Sequence, residues 1–115
     1  MKTRLTHARA NVRDLAAAIR WYTEVLGFEL ESTWPPQNPN YAHFIAGEGA
    51  VFGIMAVDPV PCGGRFNFSV DDVDELWSRL GSRAPVVEAL FDTAYGTRKF
   101  TIQDPDGNEL GFVQA

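Results

Sequence analysis

The chain has 115 residues and a mass of 12.7 kDa, room for one domain around one hydrophobic core. Apolar residues make up 45% and charged residues 22%, the composition of a globular protein rather than a disordered or fibrous one. Fifteen acids against ten bases leave a net charge of −5, which argues against a nucleic-acid partner, because neutralising phosphates takes an excess of Lys and Arg on one face.

In chain order, Met1-Lys2-Thr3-Arg4 carries charge with no apolar stretch behind it, so no secretory leader is expected. Residues 5–12 alternate and read as a strand. Leu15, Ala18, Ile19, Tyr22, Val25 and Leu26 then recur at helical spacing behind Asp14 as N-cap, and Gly27 ends that helix. Residues 28–32, 41–46 and 50–56 follow as strands, with Gly47-Glu48-Gly49 as the turn between the last two. The apolar run over 50–57 is broken by Gly53 and falls far short of the ~20 residues of a membrane span, so no membrane partner is expected. Cys62 is the single cysteine and lies in a linker between Pro61 and Gly63. It has no internal disulfide partner, which points to a reducing cytoplasm, and no neighbouring histidine to make it a catalytic thiol.

Residues 65–70 read as the next strand. Val73, Leu76, Trp77 and Leu80 share one helix face behind Asp72, with Glu75 placed as in a capping box and Gly81 as the stop. Strands at 86–88, 97–103 and 108–113 follow, the last two joined by the turn Asp104-Pro105-Asp106-Gly107. A shift of 58 residues brings the halves into register without a gap: Val12 falls on Val70, Asp14 on Asp72, Leu15 on Val73, Gly49 on Gly107 and Gly53 on Gly111. Helix starts, turn glycines and strand parity coincide together, which predicts an α+β fold of tandem βαβββ modules.

Val12-Arg13-Asp14-Leu15 and Trp21-Tyr22-Thr23-Glu24-Val25-Leu26-Gly27-Phe28 resemble the first module of the vicinal oxygen chelate superfamily. Val70-Asp71-Asp72-Val73-Asp74-Glu75-Leu76 is similar to the start of its second module, and Arg98 through Asn108 to its closing hairpin. The superfamily contains glyoxalase I, extradiol dioxygenases, fosfomycin-resistance enzymes and bleomycin-resistance proteins. The resemblance implies one vicinal oxygen chelate domain over 1–115, with module one at about 3–57 and module two at about 64–115.

Enzymes of this superfamily hold a divalent metal with one ligand from the first and one from the last strand of each module. By resemblance those positions fall on His7, Gly53, Arg65 and Gly111. Glycine has no side chain and the arginine cation repels a metal ion, so one ligand of four remains and no metal or other cofactor is expected. What is left resembles the bleomycin-resistance branch, whose members bind a drug in a groove without chemistry. It implies a homodimer with ligand grooves at the subunit junction, which would also cover open sheet edges.

Strand parity leaves Leu5, His7, Arg9 and Asn11 on the face away from the helices, and likewise Arg65, Asn67 and Ser69. The two hairpins set Tyr41, His43 and Ile45 opposite Met55, Gly53 and Val51, and Lys99, Thr101 and Gln103 opposite Val113, Gly111 and Glu109. His7, His43 and Glu109 form an alternative metal set, against which stand hydrogen-bonded wall histidines and an Arg65–Glu109 ion pair. Trp34 opens the proline-stiffened loop 34–40 and Tyr41 closes it; Phe91 and Tyr95 lie in the other long loop, 89–96. Trp21 and Trp77 ride on the helices and read as core.

The expected function is sequestration of an antibiotic or other cytotoxic natural product, giving resistance, with no catalytic residue. The expected ligand contacts are His7, Trp34, Tyr41, His43, Met55, Asn67, Phe91, Tyr95, Lys99 and Thr101. Aromatic rings would stack on a planar or elongated drug such as a bleomycin-like glycopeptide, a mitomycin-like quinone or a polycyclic enediyne or anthraquinone. The acidic balance favours a cationic one. The alternative is an enzyme of the same superfamily, glyoxalase- or dioxygenase-like, or a metal-free isomerase with His7 or His43 as base.

Overall fold

The computed structural model describes residues 1–58 and 63–115, so Cys62 lies outside the described residues. The chain divides into two compact units, Met1–Pro61 and Cys62–Ala115. In the first, β1 (His7–Val12) leads into α1 (Leu15–Glu24), followed by β2 (Leu30–Trp34), β3 (Tyr41–Phe44) and β4 (Val51–Ala56). The strands form one sheet in the order β1-β4-β3-β2, with β1 parallel to β4 and the other pairs antiparallel.

Helix α1 starts where Asp14 Oδ1 accepts the Ala17 amide at 3.0 Å. It stops at Gly27, whose φ of 81° is left-handed and whose N–H returns to the Thr23 carbonyl at 3.1 Å. Leu15, Ala18 and Tyr22 form its buried stripe. The Tyr22 ring, fully buried, sits 5.5 Å from Phe44 and 5.6 Å from Phe52, which makes it the centre of this unit's core. Burying such a ring is worth roughly 1.5–3 kcal/mol.

The second unit repeats the plan with β5 (Arg65–Val70), α2 (Val73–Leu80), β6 (Val86–Asp92), β7 (Arg98–Gln103) and β8 (Glu109–Gln114). Its sheet order is β5-β8-β7-β6. The 58-residue shift holds in the pairing itself: His7 stands beside Val51 as Arg65 beside Glu109, and Tyr41 beside Met55 as Lys99 beside Val113. Asp72 Oδ1 accepts the Glu75 amide at 3.1 Å, while the Glu75 carboxylate lies 3.7 Å from Arg79. The closing turn is fastened by two buried side chains. Asp104 Oδ1 accepts from the Asp106 and Asn108 amides, Asp104 Oδ2 from Asn108 Nδ2, and Asn108 Oδ1 from the Gly64 amide.

Expected boundaries move in several places, with β3 for one ending at Phe44 rather than at residue 46. Strand β1 begins at His7, leaving Leu5 exposed, and β2 begins at Leu30 because Phe28 closes the end of α1, its N–H on the Tyr22 carbonyl. Strand β6 runs on to Asp92, so Phe91 lies in a strand opposite Lys99 rather than in a loop, and Tyr95 sits in the short turn that follows. Register shifts between Val86 and Glu88, and between Glu88 and Phe91, break the alternation that would have marked this strand. Trp34 closes β2 and pairs with Tyr41. Among the described residues no helix is long and apolar enough to cross a membrane.

Candidate functional site

Each sheet covers one face with its helix and leaves the other open, and the expected ligand residues fall on these open faces. On the first unit Tyr41 is the hub. Its hydroxyl lies 2.8 Å from His7 Nε2 and 3.2 Å from His43 Nδ1, and His43 Nε2 lies 2.8 Å from Glu31 Oε1. The carboxylate can only accept, so His43 carries its proton on Nε2. With both rings neutral the chain then runs one way: His7 Nε2–H donates to Tyr41, Tyr41 O–H to His43 Nδ1, and His43 Nε2–H to Glu31. Burial raises the Tyr41 pKa above its ordinary 10.0, partly offset by the nearby Arg9 charge, so the hydroxyl keeps its proton at neutral pH.

Trp34 stands cross-strand from Tyr41 and is 63% exposed. Met55, on the other side of Tyr41, accepts a hydrogen bond on its sulfur from Arg9 Nη1 at 2.8 Å. Tyr41 also explains Gly53: a Cβ there would lie 2.8 Å from the Tyr41 hydroxyl and 2.9 Å from its ring.

The second unit's face is built of ion pairs. Arg65 forks onto Glu88 at 2.6 Å and Glu109 at 2.8 Å, the second of these as the sequence suggests. Thr101, fully buried, donates its hydroxyl to Glu88 at 2.7 Å, and Lys99 Nζ lies 3.8 Å from the same carboxylate. The Thr101 hydroxyl and the Arg65 fork hold the Glu88 carboxyl below its ordinary value, and the Glu88 bond in turn raises Arg65. A Cβ on Gly111 would collide with the Asn67 side-chain oxygen. Phe91 and Tyr95 are 38% and 76% exposed.

The structure thus brings His7, Trp34, Tyr41, His43 and Met55 onto one open face, and Asn67, Phe91, Lys99 and Thr101 onto the other sheet, with Tyr95 in its turn. Sequence reasoning missed Glu31 and Glu88 as members, and it placed Arg9 on the open face without counting it among the ligand contacts. Glu31 sits at a register shift between Leu30 and Ser32, which parity does not reveal; Glu88, opposite Thr101, was open to a register argument.

A vicinal oxygen chelate metal does not fit these residues. Gly53 and Gly111 offer no donor and are covered by Tyr41 and Asn67, and Arg65 presents a cation that two carboxylates already neutralise. Among the described residues no group of three or more His, Cys, Asp or Glu is arranged to hold a metal ion.

Known proteins share this architecture. TioX from Micromonospora sp. ML1 superposes with a TM-score of 0.80 at 23% identity, over 97% of this chain and 98% of its own. A lactoylglutathione lyase from Agrobacterium tumefaciens gives 0.77 at 23% identity, over 100% and 96%. At these identities the likeness is one of fold. A lactoylglutathione lyase of Salmonella typhimurium is 28% identical over 97% of this chain and 93% of the enzyme. The repeated module and its register agree with a family model that matches residues 4–112, and the chain belongs to the Glyoxalase/Bleomycin resistance protein/Dioxygenase superfamily.

Proposed function

We propose that the protein binds an antibiotic or other cytotoxic natural product and confers resistance by sequestering it, in the manner of the bleomycin-resistance branch. Trp34 carries this reading: an indole 63% exposed, beside Tyr41, on a face where the position that holds a metal-binding carboxylate in the enzymes is a covered glycine. An exposed flat ring beside a fixed polar array suits stacking on a planar ligand oriented by hydrogen bonds. The first unit's face would offer His7, Tyr41, His43 and Met55 to a ligand, and the second unit, taken by itself, Asn67 and Phe91 on its face and Tyr95 in its turn. Lys99 and Thr101 would act through Glu88, which both already engage. The protein works as a cytoplasmic homodimer in this proposal, its exposed Leu5, Ile45, Phe91 and Tyr95 giving the partner subunit apolar surface to cover.

Calorimetry with bleomycin, mitomycin C and an anthraquinone tests it. Trp34→Ala should weaken the probe that binds by about 30- to 1000-fold, the loss of an aromatic hot spot, while leaving the fold intact. Unchanged affinity in both Trp34→Ala and Tyr41→Ala would remove this face from the site.

The 28% identity to a lactoylglutathione lyase supports a second reading, an enzyme with an unusual ligand set. Turnover of S-lactoylglutathione, together with stoichiometric Zn, Ni, Mn or Fe that is lost in His7→Ala, would establish it in place of sequestration.

A further inference from the structure

The net charge of −5 is unevenly spread. The unit Met1–Pro61 has five bases (Lys2, Arg4, Arg9, Arg13, Arg20) against six acids, whereas Cys62–Ala115 has five against nine. The first unit is therefore nearly neutral, and what a ligand meets there is set by local groups rather than by the bulk acidity.

On its open face the cation is Arg9, and the carboxylate placed there, Glu31, is engaged by His43 Nε2 at 2.8 Å. Arg65 and Lys99, the cations on the second unit's open face, both have carboxylate partners. Arg9 has none among the described residues; its guanidinium rests on the sulfur of Met55, a weak acceptor that neutralises nothing. That contact fixes the head group while leaving its charge and most of its five N–H donors unspent. Trp34 is on the far strand. With strands ~4.8 Å apart, β2 lies about 10 Å from β4, over which the Arg9 head stands, and a fused three-ring system bridges that gap.

We propose that this face binds an aromatic anion: a polycyclic ring stacked on Trp34 whose carboxylate, phenolate or sulfonate oxygens are taken by Arg9. The inference rests on the sequestration reading and names its ligand class, replacing the cationic drug that bulk charge suggests. Charge-assisted bonds from a guanidinium held in place are short and strong, and no resident carboxylate has to be displaced to make them.

The test uses one ring system in three charge states: anthraquinone-2-carboxylate, its neutral carboxamide and 2-(aminomethyl)anthraquinone, each titrated against the full chain by calorimetry. The carboxylate should bind at least about tenfold more tightly than the carboxamide, the worth of one charge-assisted bond, and the amine most weakly. Arg9→Gln should bring carboxylate and carboxamide within about twofold of each other, with a wild-type circular dichroism spectrum and urea midpoint showing that the variant is folded. Trp34→Ala should weaken both alike. Equal affinities in the wild type, tighter binding of the amine, or a preference that survives Arg9→Gln overturns the anion inference and leaves aromatic sequestration standing. Failure of all three probes, and of the drugs named above, overturns both.

Discussion

The two open sheet faces share a scaffold and differ in what they hold. In both, the first strand runs parallel to the last, a glycine sits at the same register position, and a neighbouring side chain lies over that glycine. In the first unit the cover is the Tyr41 ring and the surroundings are two imidazoles, a thioether and an exposed indole. In the second the cover is the Asn67 amide and the surroundings are Arg65, Glu88, Glu109 and Lys99, already paired with one another. The second face has spent its polar groups on itself, while the first has kept an aromatic surface and a charge to offer. Repetition of a fold therefore says little about repetition of a site.

The largest expected effect lies in the hairpins that close each unit. Asp104 is 3% exposed and accepts three hydrogen bonds within its turn. Its counterpart 58 residues earlier is Ala46, exposed, in a turn carried by Gly47 and Gly49. Asp104→Ala should cost about 2–4 kcal/mol, because buried donors lose their acceptor, whereas Glu48→Ala in the first turn should stay within about 0.5 kcal/mol. Urea denaturation followed by circular dichroism measures both. Equal costs would mean that the two turns carry the same load.

The covered glycines come next. At Gly53 a methyl group meets the stiff Tyr41 ring and the Ala42 carbonyl at 3.1 Å; at Gly111 it meets the end of an amide that can rotate. Gly53→Ala should therefore destabilise by about 1–3 kcal/mol and Gly111→Ala by less than about 1 kcal/mol. Adding Tyr41→Ala to Gly53→Ala should recover part of the loss. If the two glycines cost the same, the covers are equally yielding and the contrast between them fails.

The repeat was legible in the chain because its markers are local. Asp14 and Asp72 as N-caps, Gly27 as a left-handed stop, and Gly49 and Gly107 in the hairpins each act within a few residues of themselves. Parity on a regular ladder also carried far enough to place Tyr41, His43 and Gly53 together. Reading stopped where the ladder slips. Register shifts hid the extension of β6 through Phe91 and the approach of Glu31 to His43. The covers over Gly53 and Gly111 depend on rotamers of residues on neighbouring strands, for which no local pattern exists. Arg9 was visible as an open-face residue, but its want of a carboxylate partner emerges only once every acid has a position.

A smaller effect separates the faces by pH. The Thr101 hydroxyl first, and then Arg65, hold the Glu88 carboxyl below its ordinary 4.5. Because the folded value is the lower one, the stabilisation is complete above pH 4.5 and is lost as the pH falls through the folded value. Glu88 is about a third exposed, so water screens the interaction and its worth stays under about 1 kcal/mol. Thr101→Val, close in volume and without the hydroxyl, should lower stability at pH 7 slightly and make it fall less steeply below pH 4.5. Parallel stability curves for wild type and variant between pH 7 and 3 would show that the hydroxyl does not act on Glu88.

The finest distinction is between a group governed by its partners and one governed by burial. Glu88 is the first kind. Tyr41 is the second: loss of water raises its pKa above 10.0, and Arg9 pulls the other way. Removing the charge in Arg9→Gln should let burial act unopposed, so Tyr41 should ionise at still higher pH. The stabilisation linked to its proton is complete below pH 10.0 and disappears as the pH rises through the folded value, so the variant should hold it to a higher pH. The chain has three tyrosines, and subtracting the alkaline ultraviolet titration of Tyr41→Phe from that of the wild type isolates this one. The same subtraction in the Arg9→Gln background gives the shift. A Tyr41 midpoint that stays put or moves down would mean that the Arg9 charge does not reach the hydroxyl.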